Sequence, residues 1–206
     1  MRIPGRFFAV GRRPYERLRS ADFNHDGHPD IVTTNLDGDT VTILLGDGKG
    51  GLRAAAGSPF PAGAKPWQVA IDDFNRDGRA DLAIIPYERD LPDPRRNVVT
   101  ILLGDGSGGF TPSPASLSLG GCHGPEAIAT GDVNGDGYRD IVVSCAESKN
   151  LAIFLGEPGG TFLRTFVPAA GGWGGVACAD LNGDGKDDII TANYDAGTIT
   201  VYLSKN

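Results

Sequence analysis

The chain has 206 residues, 31 of them glycine and 14 proline, and a formal net charge of −7. The negative charge disfavours nucleic acid and anionic membrane surfaces as partners. No apolar run approaches the ~18 residues that a membrane helix needs, so membrane insertion is not expected. Many glycines and prolines suit short strands joined by tight turns. The length allows one large domain or two small ones, and the repeats described next favour a single all-β domain over residues 1–206.

The predicted elements begin with an apolar stretch at Phe7–Gly11 and then follow a pattern that occurs four times. At the centre of each repeat lies the nine-residue motif Asp-x-Asn-x-Asp-Gly-x-x-Asp, followed by Ile or Leu. A strand precedes the motif at Gln68–Asp72, Ala127–Gly131 and Gly175–Ala179. A second strand follows it at Ile31–Thr34, Leu82–Ile85, Ile141–Ser144 and Ile189–Ala192. A third is predicted at Val41–Leu45, Val98–Leu103, Leu151–Leu155 and Ile199–Leu203.

Gly-rich turns follow the third strand in three of the repeats, and a fourth, poorer strand is expected around Phe60, Leu117 and Phe166. The motifs start 51, 59 and 48 residues apart. This spacing is typical of a four-stranded propeller blade. The sequence therefore predicts a β-propeller of four blades, at about residues 15–63, 64–121, 122–170 and 171–206.

The N-terminal segment supplies an element that the fourth repeat lacks. Phe7–Gly11 precedes Asp22 by the offset that separates Leu117 and Phe166 from the motifs that follow them. Residues 5–11 are therefore predicted to form the outer strand of the last blade and to close the ring, which would hide exposed strand edges. Two assemblies satisfy this prediction: a four-bladed ring in one chain, or an eight-bladed ring shared by two chains as a homodimer.

The four motifs predict about four calcium sites. Each motif places three carboxylates and one amide within nine residues, and such a cluster repels itself unless a hard cation binds between the oxygens. Calcium takes six to eight oxygen ligands, whereas magnesium prefers fewer protein ligands and a stricter geometry. Positions 1, 3, 5 and 9 are expected to bind through side chains, and position 7 through its backbone carbonyl. The predicted ligands are Asp22, Asn24, Asp26, His28 and Asp30; Asp73, Asn75, Asp77, Arg79 and Asp81; Asp132, Asn134, Asp136, Tyr138 and Asp140; and Asp180, Asn182, Asp184, Lys186 and Asp188.

Sites of this kind are expected to stabilise the fold outside the cell. Twelve of the 26 acidic residues belong to the motifs, so the negative charge reflects the loops more than an acidic binding surface. Extracellular sites bind calcium with Kd near 10⁻⁴ M and would stay mostly empty at micromolar cytosolic levels. We therefore expect an extracellular or cell-surface location, although the first ten residues lack a convincing signal-peptide core.

The three cysteines leave one alternative open. Cys122 precedes the third motif and Cys145 ends the strand after it, so the two residues are expected to meet across an antiparallel pair. They form either a disulfide or two free thiols. Cys178 alternates with Val176 and is expected to be a small buried side chain.

The motifs resemble the FG-GAP/VCBS repeats, the calcium-loop blades of integrin α-subunit propellers, bacterial surface proteins and some fungal lectins. The resemblance covers nearly the whole chain. It implies a β-propeller with calcium in the loop between the first two strands of each blade, and a role in adhesion or in the recognition of glycans or extracellular proteins. Members of the family usually have seven or eight blades, so four is a departure.

The face opposite the metal loops is the predicted ligand-binding face. Tyr15, Trp67, His123 and Trp173 lie six to nine residues before the motif aspartates and are expected to surround a central opening. Flat aromatic rings there would suit stacking on sugars or clamping a peptide; the alternative is that they pack a blade corner. The proline-rich insertion at residues 86–97 is expected on the same face, as a recognition loop or a tolerated surface excursion.

No catalytic constellation is evident, so the sequence predicts a binding module rather than an enzyme. The alternatives are a structural repeat unit of a larger surface protein and a carbohydrate-active enzyme of the lyase or dehydratase type. For the enzyme, the candidate acid/base set is Glu126, His123 and Tyr15.

Overall fold

The computed structural model describes residues 5–87, 97–115, 117–169 and 174–204, without the side chains of residues 15–17. Throughout this part of the chain the regular structure consists of β-strands. No helix long and apolar enough to cross a membrane occurs in it. The predicted recognition loop at residues 86–97 lies largely outside the described residues, since only Pro86, Tyr87 and Asn97 are described.

Within the described residues, seventeen strands form four antiparallel sheets, one for each motif. The first sheet contains β1 (Pro14–Ala21), β2 (Asp30–Asn35), β3 (Thr40–Gly46), β4 (Leu52–Ala54) and β5 (Phe60–Pro61). The second contains β6 (Pro66–Asp72), β7 (Asp81–Pro86), β8 (Val98–Gly104), β9 (Phe110–Pro112) and β10 (Leu117–Ser118). The third contains β11 (Pro125–Gly131), β12 (Asp140–Cys145), β13 (Asn150–Glu157) and β14 (Thr161–Pro168). The fourth contains β15 (Val176–Ala179), β16 (Asp188–Asn193) and β17 (Thr198–Tyr202).

The all-β, antiparallel prediction is confirmed, and the predicted first, second and third strands lie within one or two residues of their predicted bounds; β1 is a further strand for which no bounds were predicted. The register is the same in each sheet. Ile31 pairs with Leu44 in the first sheet, and Ile189 pairs with Tyr202 in the fourth. Each motif is the connection between the first and second strands, as predicted.

The outer strand differs between sheets in a way that the sequence prediction missed. In the third sheet it is continuous, because β14 pairs with the whole of β13. In the first sheet it is split, because β4 pairs with one end of β3 and β5 with the other. The chain bulges at Ala55–Ser58 between them, where Ser58 Oγ accepts a hydrogen bond from the Ile43 N–H. The segment that joins β4 to β5 contains more residues than the stretch of β3 that it spans, so a regular strand cannot continue.

The sheets stack face to face in chain order, a propeller-like arrangement. Their first strands, β1, β6, β11 and β15, pack against one another in that sequence. Along β7 and β12, the second strands of the two inner sheets, side chains alternate between the preceding and the following sheet, and each junction has its own apolar cluster. Side chains that share a cluster across the three junctions include Val32 with Leu82, Ile85 with Ile141, and Val142 with Ile189.

The prediction that residues 5–11 form the outer strand of the fourth sheet is not confirmed within one chain. Residues 5–10 are not part of any strand, and the fourth sheet contains β15, β16 and β17. The segment instead follows the first sheet: the Gly11 N–H donates to Thr42 Oγ1, and Arg6 donates to the Gly50 carbonyl. The reason is that the arc of sheets is open, with Leu18 of the first sheet and Ile199 of the fourth both largely exposed.

The possible disulfide is present. Cys122 and Cys145 are bonded, with their Cα atoms 5.1 Å apart, and both side chains are buried between the second and third sheets. The predicted burial of Cys178 is only partly confirmed, because this free cysteine is half-buried at the junction of the third and fourth sheets. The low-dielectric surroundings raise its pKa to about 12, and the charges of Asp187 and Asp140 act in the same direction.

Candidate functional site

Each motif folds into the same compact loop, in which backbone N–H groups bind the acidic side chains. In the first loop the two carboxylate oxygens of Asp22 accept N–H bonds from Asp26 (3.2 Å) and Gly27 (2.8 Å). Asn24 Oδ1 accepts from the Asp26 N–H, and its Nδ2 donates to Asp26 Oδ2 at 2.9 Å. The His28 N–H in turn donates to Asp26 Oδ1 at 2.8 Å. Positions 1, 3 and 5 therefore lie close together on the inside of the turn.

The other three loops repeat this geometry. The N–H group at position 6 donates to the position 1 carboxylate in all of them. Position 6 is glycine each time, and its φ is 80°, 79°, 81° and 86° in chain order. A side chain is disfavoured at such φ values, so glycine is what allows the turn. Position 4 also has positive φ, with His25, Arg76, Gly135 and Gly183 in chain order.

The aspartate at position 9 has a structural role that the sequence prediction did not include. Asp81 is fully buried; one of its oxygens accepts the Phe74 N–H (3.0 Å) and the other the Gly104 N–H (2.8 Å). This carboxylate therefore ties the loop to the end of the third strand. The same pair of hydrogen bonds, one to each carboxylate oxygen, is accepted by Asp30, Asp140 and Asp188.

Two of these buried carboxylates hold their charge at a cost. Burial raises the pKa of Asp81 from its ordinary 3.8 to about 6, and the negative charges of Asp77 and Asp73 act in the same direction, while the two N–H bonds partly oppose them. Burial likewise raises the pKa of Asp140 to about 6, with Asp136 and Asp132 adding to the effect. The carboxylates of one loop are thus close enough to repel one another.

Neighbouring loops touch along one face of the molecule. Arg76, at position 4 of the second loop, stacks over the ring of Tyr138, at position 7 of the third, 4.7 Å from its centroid. Arg139 lies between Asp72 (3.1 Å) and Asp187 (3.8 Å) and so links the second, third and fourth sheets. These bridging cations are not among the residues predicted from the sequence. The signal was available in the basic side chains at positions 4 and 8.

The donor set of the loops fits a hard cation such as calcium. Each loop offers carboxylate, amide and carbonyl oxygens and contains no thiolate, and calcium prefers oxygen ligands. The mutual repulsion at Asp81 and Asp140 is what a bound cation would relieve. In the conformation described, the carboxylates are directed at backbone N–H groups. Among the described residues, no three His, Cys, Asp or Glu side chains converge on one point.

Of the four predicted ligand-binding side chains, the structure describes those of Trp67 and His123. Trp67 is buried, and its ring packs against Tyr87 with centroids 4.7 Å apart. This is the blade-corner packing that the sequence left as the alternative, so Trp67 offers no open stacking surface. His123 is exposed, and its carbonyl accepts the Glu147 N–H. The Tyr15 side chain and Trp173 lie outside the described residues.

Comparisons with known proteins identify the repeat. The profile of the FG-GAP-like repeat matches residues 22–84, 92–143 and 132–191. Comparison with curated proteins gives no significant match. Among solved structures, the chain is similar to one described as the crystal structure of BBS1N in complex with ARL6DN, soaked with lead. The identity is 13%, the alignment covers 95% of this chain and 69% of that chain, and the TM-score is 0.37.

Proposed function

Because the chain belongs to the FG-GAP-like repeat family, we propose that it is a calcium-stabilised, propeller-like recognition module that works outside the cell. The observation that carries the proposal is the fourfold recurrence of one loop geometry, with acidic and amide oxygens gathered at positions 1, 3 and 5. Asp-Asn-Gly turns can form without metal. Four loops that repeat the same oxygen positions point to a shared ligand.

Calcium would act chiefly on stability. For a Kd near 10⁻⁴ M, 1 mM calcium stabilises each site by about 1.4 kcal/mol. Four such sites would contribute about 5–6 kcal/mol, comparable to the whole stability of a typical domain. The positions that would hold the ion are the side chains at 1, 3, 5 and 9 and the carbonyl at 7. Position 9 would need to share oxygens that now accept backbone N–H bonds.

Calcium titration calorimetry on the chelator-treated chain tests this proposal. We expect about four sites, a rise in the melting temperature with calcium, and a weaker response to magnesium. Replacing Asp77 by Asn in one loop should remove one site and leave the other three. A chain whose titration shows no heat and whose melting does not change with millimolar calcium would contradict the proposal.

The recognition role is supported by the family and by the disulfide. A buried disulfide is typical of oxidising compartments. The family resemblance implies glycan or extracellular protein ligands. On the face opposite the metal loops, His123 is exposed, and the neighbouring Cys122 carbonyl accepts a hydrogen bond from Asn97 Nδ2. We place the ligand in this region.

A panel of glycans and matrix proteins, immobilised and probed with the chain, tests recognition separately from stability. Binding should fall when His123 is replaced by Ala, while the calcium-dependent melting stays unchanged. Absence of binding across the panel would favour the purely structural repeat unit. Turnover of a glycan that depends on His123 would favour the enzyme.

A further inference from the structure

The junctions inside the chain follow one rule: the residue at loop position 2 packs onto the next sheet. Phe23 of the first loop lies edge-on to Phe110, which follows the Gly-rich turn of the second sheet, with ring centroids 5.5 Å apart. The Gly108 N–H of the same turn donates to the Phe23 carbonyl at 3.1 Å. Phe74 packs in the same way against Phe162 of the third sheet, at 6.2 Å.

The fourth loop has the corresponding side chain, and it lies exposed. Leu181 is 56% exposed, whereas Phe23 and Phe74 are each 3% exposed. The rest of this face of the fourth sheet is also apolar and open. Its large members are Ile199, Val201 and Leu203. Their counterparts in the first sheet, Val41, Ile43 and Leu45, are buried against the second sheet.

The first sheet has the corresponding cavity, and that also lies open. About 370 Å³ in volume, it is lined by Pro29, Ile31, Gly46, Gly50 and Leu52 among others. The counterparts of these residues in the second sheet are Ala80, Leu82, Gly104, Gly108 and Phe110. Of those, Ala80, Leu82 and Phe110 belong to the apolar cluster that buries Phe23. The turns themselves match, Gly46-Asp-Gly in one sheet and Gly104-Asp-Gly in the other.

The two open faces also match at the pair of positions that carries charge at another junction. At the junction of the second and third sheets, Asp72 before the loop meets Arg139 at position 8 of the next loop. At the junction of the first and second sheets the same positions hold Ala21 and Ala80, both packed against the apolar cluster. The open faces would bring together Ala179 of the fourth sheet and Pro29 of the first. This pair is uncharged and apolar, so docking would bury no unpaired charge at these two positions.

The N-terminal segment lies where the outer strand of a preceding sheet would lie. Phe8-Ala-Val-Gly11 repeats the pattern of Phe60-Pro-Ala-Gly63, the segment that leaves the first sheet for the second. Gly63 lies against Thr100 of the second sheet, and Gly11 binds Thr42, the counterpart of Thr100 in the first sheet. Phe60 pairs with Val41, whose counterpart in the fourth sheet is the exposed Ile199. Phe8 is thus placed to cover Ile199 of a fourth sheet that packs on the open face of the first sheet.

We propose that the fourth sheet of one copy of this chain docks on the first sheet of a second copy, with Leu181 in the first-sheet cavity and Phe8 over Ile199. The two faces are exposed together in one chain, so neither covers the other. Docking in both directions gives a closed, two-fold symmetric pair with two equal junctions. The N-terminal segment then completes the fourth sheet of the partner rather than that of its own chain.

Light scattering after size-exclusion chromatography tests the pair. The chain should have twice the 21.5 kDa mass of one copy, and Leu181→Asp should halve the apparent mass. The matched control is Leu163→Asp: Leu163 is 57% exposed on β14, away from both end faces, so its replacement should leave the pair intact. A wild-type chain that stays at 21.5 kDa overturns the proposal.

Cross-linking separates docking between two copies from closure within one chain. In a Cys178→Ser background, Leu181→Cys and Leu52→Cys are combined and treated with a short bismaleimide. A linked pair of chains is expected, and each single cysteine variant should give none. A linker that joins the two cysteines of one chain overturns the proposal, because the ring would then close on itself.

Discussion

At the scale of single residues, the aspartate at position 9 has two roles, one in binding backbone N–H groups and one as a predicted metal ligand. Asp81 uses both carboxylate oxygens to hold backbone N–H groups from different parts of the second sheet. It is also the closing member of a predicted metal site. Asp77, in contrast, lies on the exposed turn and binds only groups within its own loop. Mutation of these two residues therefore distinguishes the pair of hydrogen bonds that Asp81 accepts from Phe74 and Gly104, called the Asp81 clamp below, from the metal site.

Replacing Asp81 by Asn should destabilise the chain with or without calcium. An amide has one oxygen to accept with, so either the Phe74 or the Gly104 N–H loses its partner, at a cost of about 1–3 kcal/mol. Urea unfolding in chelator measures this loss. In the same chelator Asp77→Asn should change stability by less than about 0.5 kcal/mol, because it lies at the surface. If the two variants lost the same free energy of unfolding, the Asp81 clamp would not be the source of the stability that Asp81 provides.

The raised pKa values of Asp81 and Asp140 give a pH dependence with a definite sign. Their folded-state pKa of about 6 lies above the ordinary 3.8, so the folded chain binds these protons more tightly than the unfolded chain. In chelator, their contribution to the free energy of unfolding should therefore rise as pH falls from about 7 to 4 and stay constant above pH 7. The difference in stability between wild type and Asp81→Asn should widen over that window. A difference in stability that stays constant from pH 7 to pH 4 would contradict the raised pKa of Asp81.

At the scale of elements, the disulfide fastens the third sheet at the end opposite its loop. Cys122 lies before β11 and Cys145 ends β12, so the bond closes the whole β11–β12 hairpin, with a sequence separation of 23. Both residues also pack against the second sheet. The bond therefore restrains the junction as well as the hairpin.

Replacing both Cys122 and Cys145 by Ala should lower the free energy of unfolding by about 3 kcal/mol. Guanidinium unfolding with and without reductant measures the effect, and reductant should bring the wild type close to the double variant. The control is Cys178→Ala, which should keep the response of the wild type to reductant. If reductant leaves wild-type unfolding unchanged, the bond contributes nothing to stability.

At the scale of the whole molecule, structural features that recur in every repeat could be predicted from the sequence, and features that occur only once could not. Strand order, loop positions and the glycine turns could be predicted because four copies showed the same pattern at the same spacing. The course of residues 5–11 could not be predicted. The apolar pattern at Phe8 indicates that this segment covers a sheet, but it does not indicate which sheet or which copy of the chain. The sequence left open whether Trp67 faces a ligand or packs in a blade corner, because its contact with Tyr87 depends on how two strands meet, which no local pattern records. The second role of Asp81 was missed for the same reason, since Gly104 lies 23 residues away along the chain.

The open arc predicts a gradient of stability along the chain. The second strand of the second sheet, β7, is buried along its whole length between two neighbours, whereas β15 and β17 each have only one covered side. Local opening is easiest where few apolar contacts are lost. In the Leu181→Asp variant, amide hydrogens of β15–β17 should therefore exchange at least tenfold faster than those of β7, as measured by mass spectrometry of exchanged peptides. In wild type the fourth sheet should regain protection as concentration rises, because a second copy would then cover the face that includes Ile199 and Val201. Uniform protection in the variant would mean that the fourth sheet is stabilised by contacts other than those between neighbouring sheets.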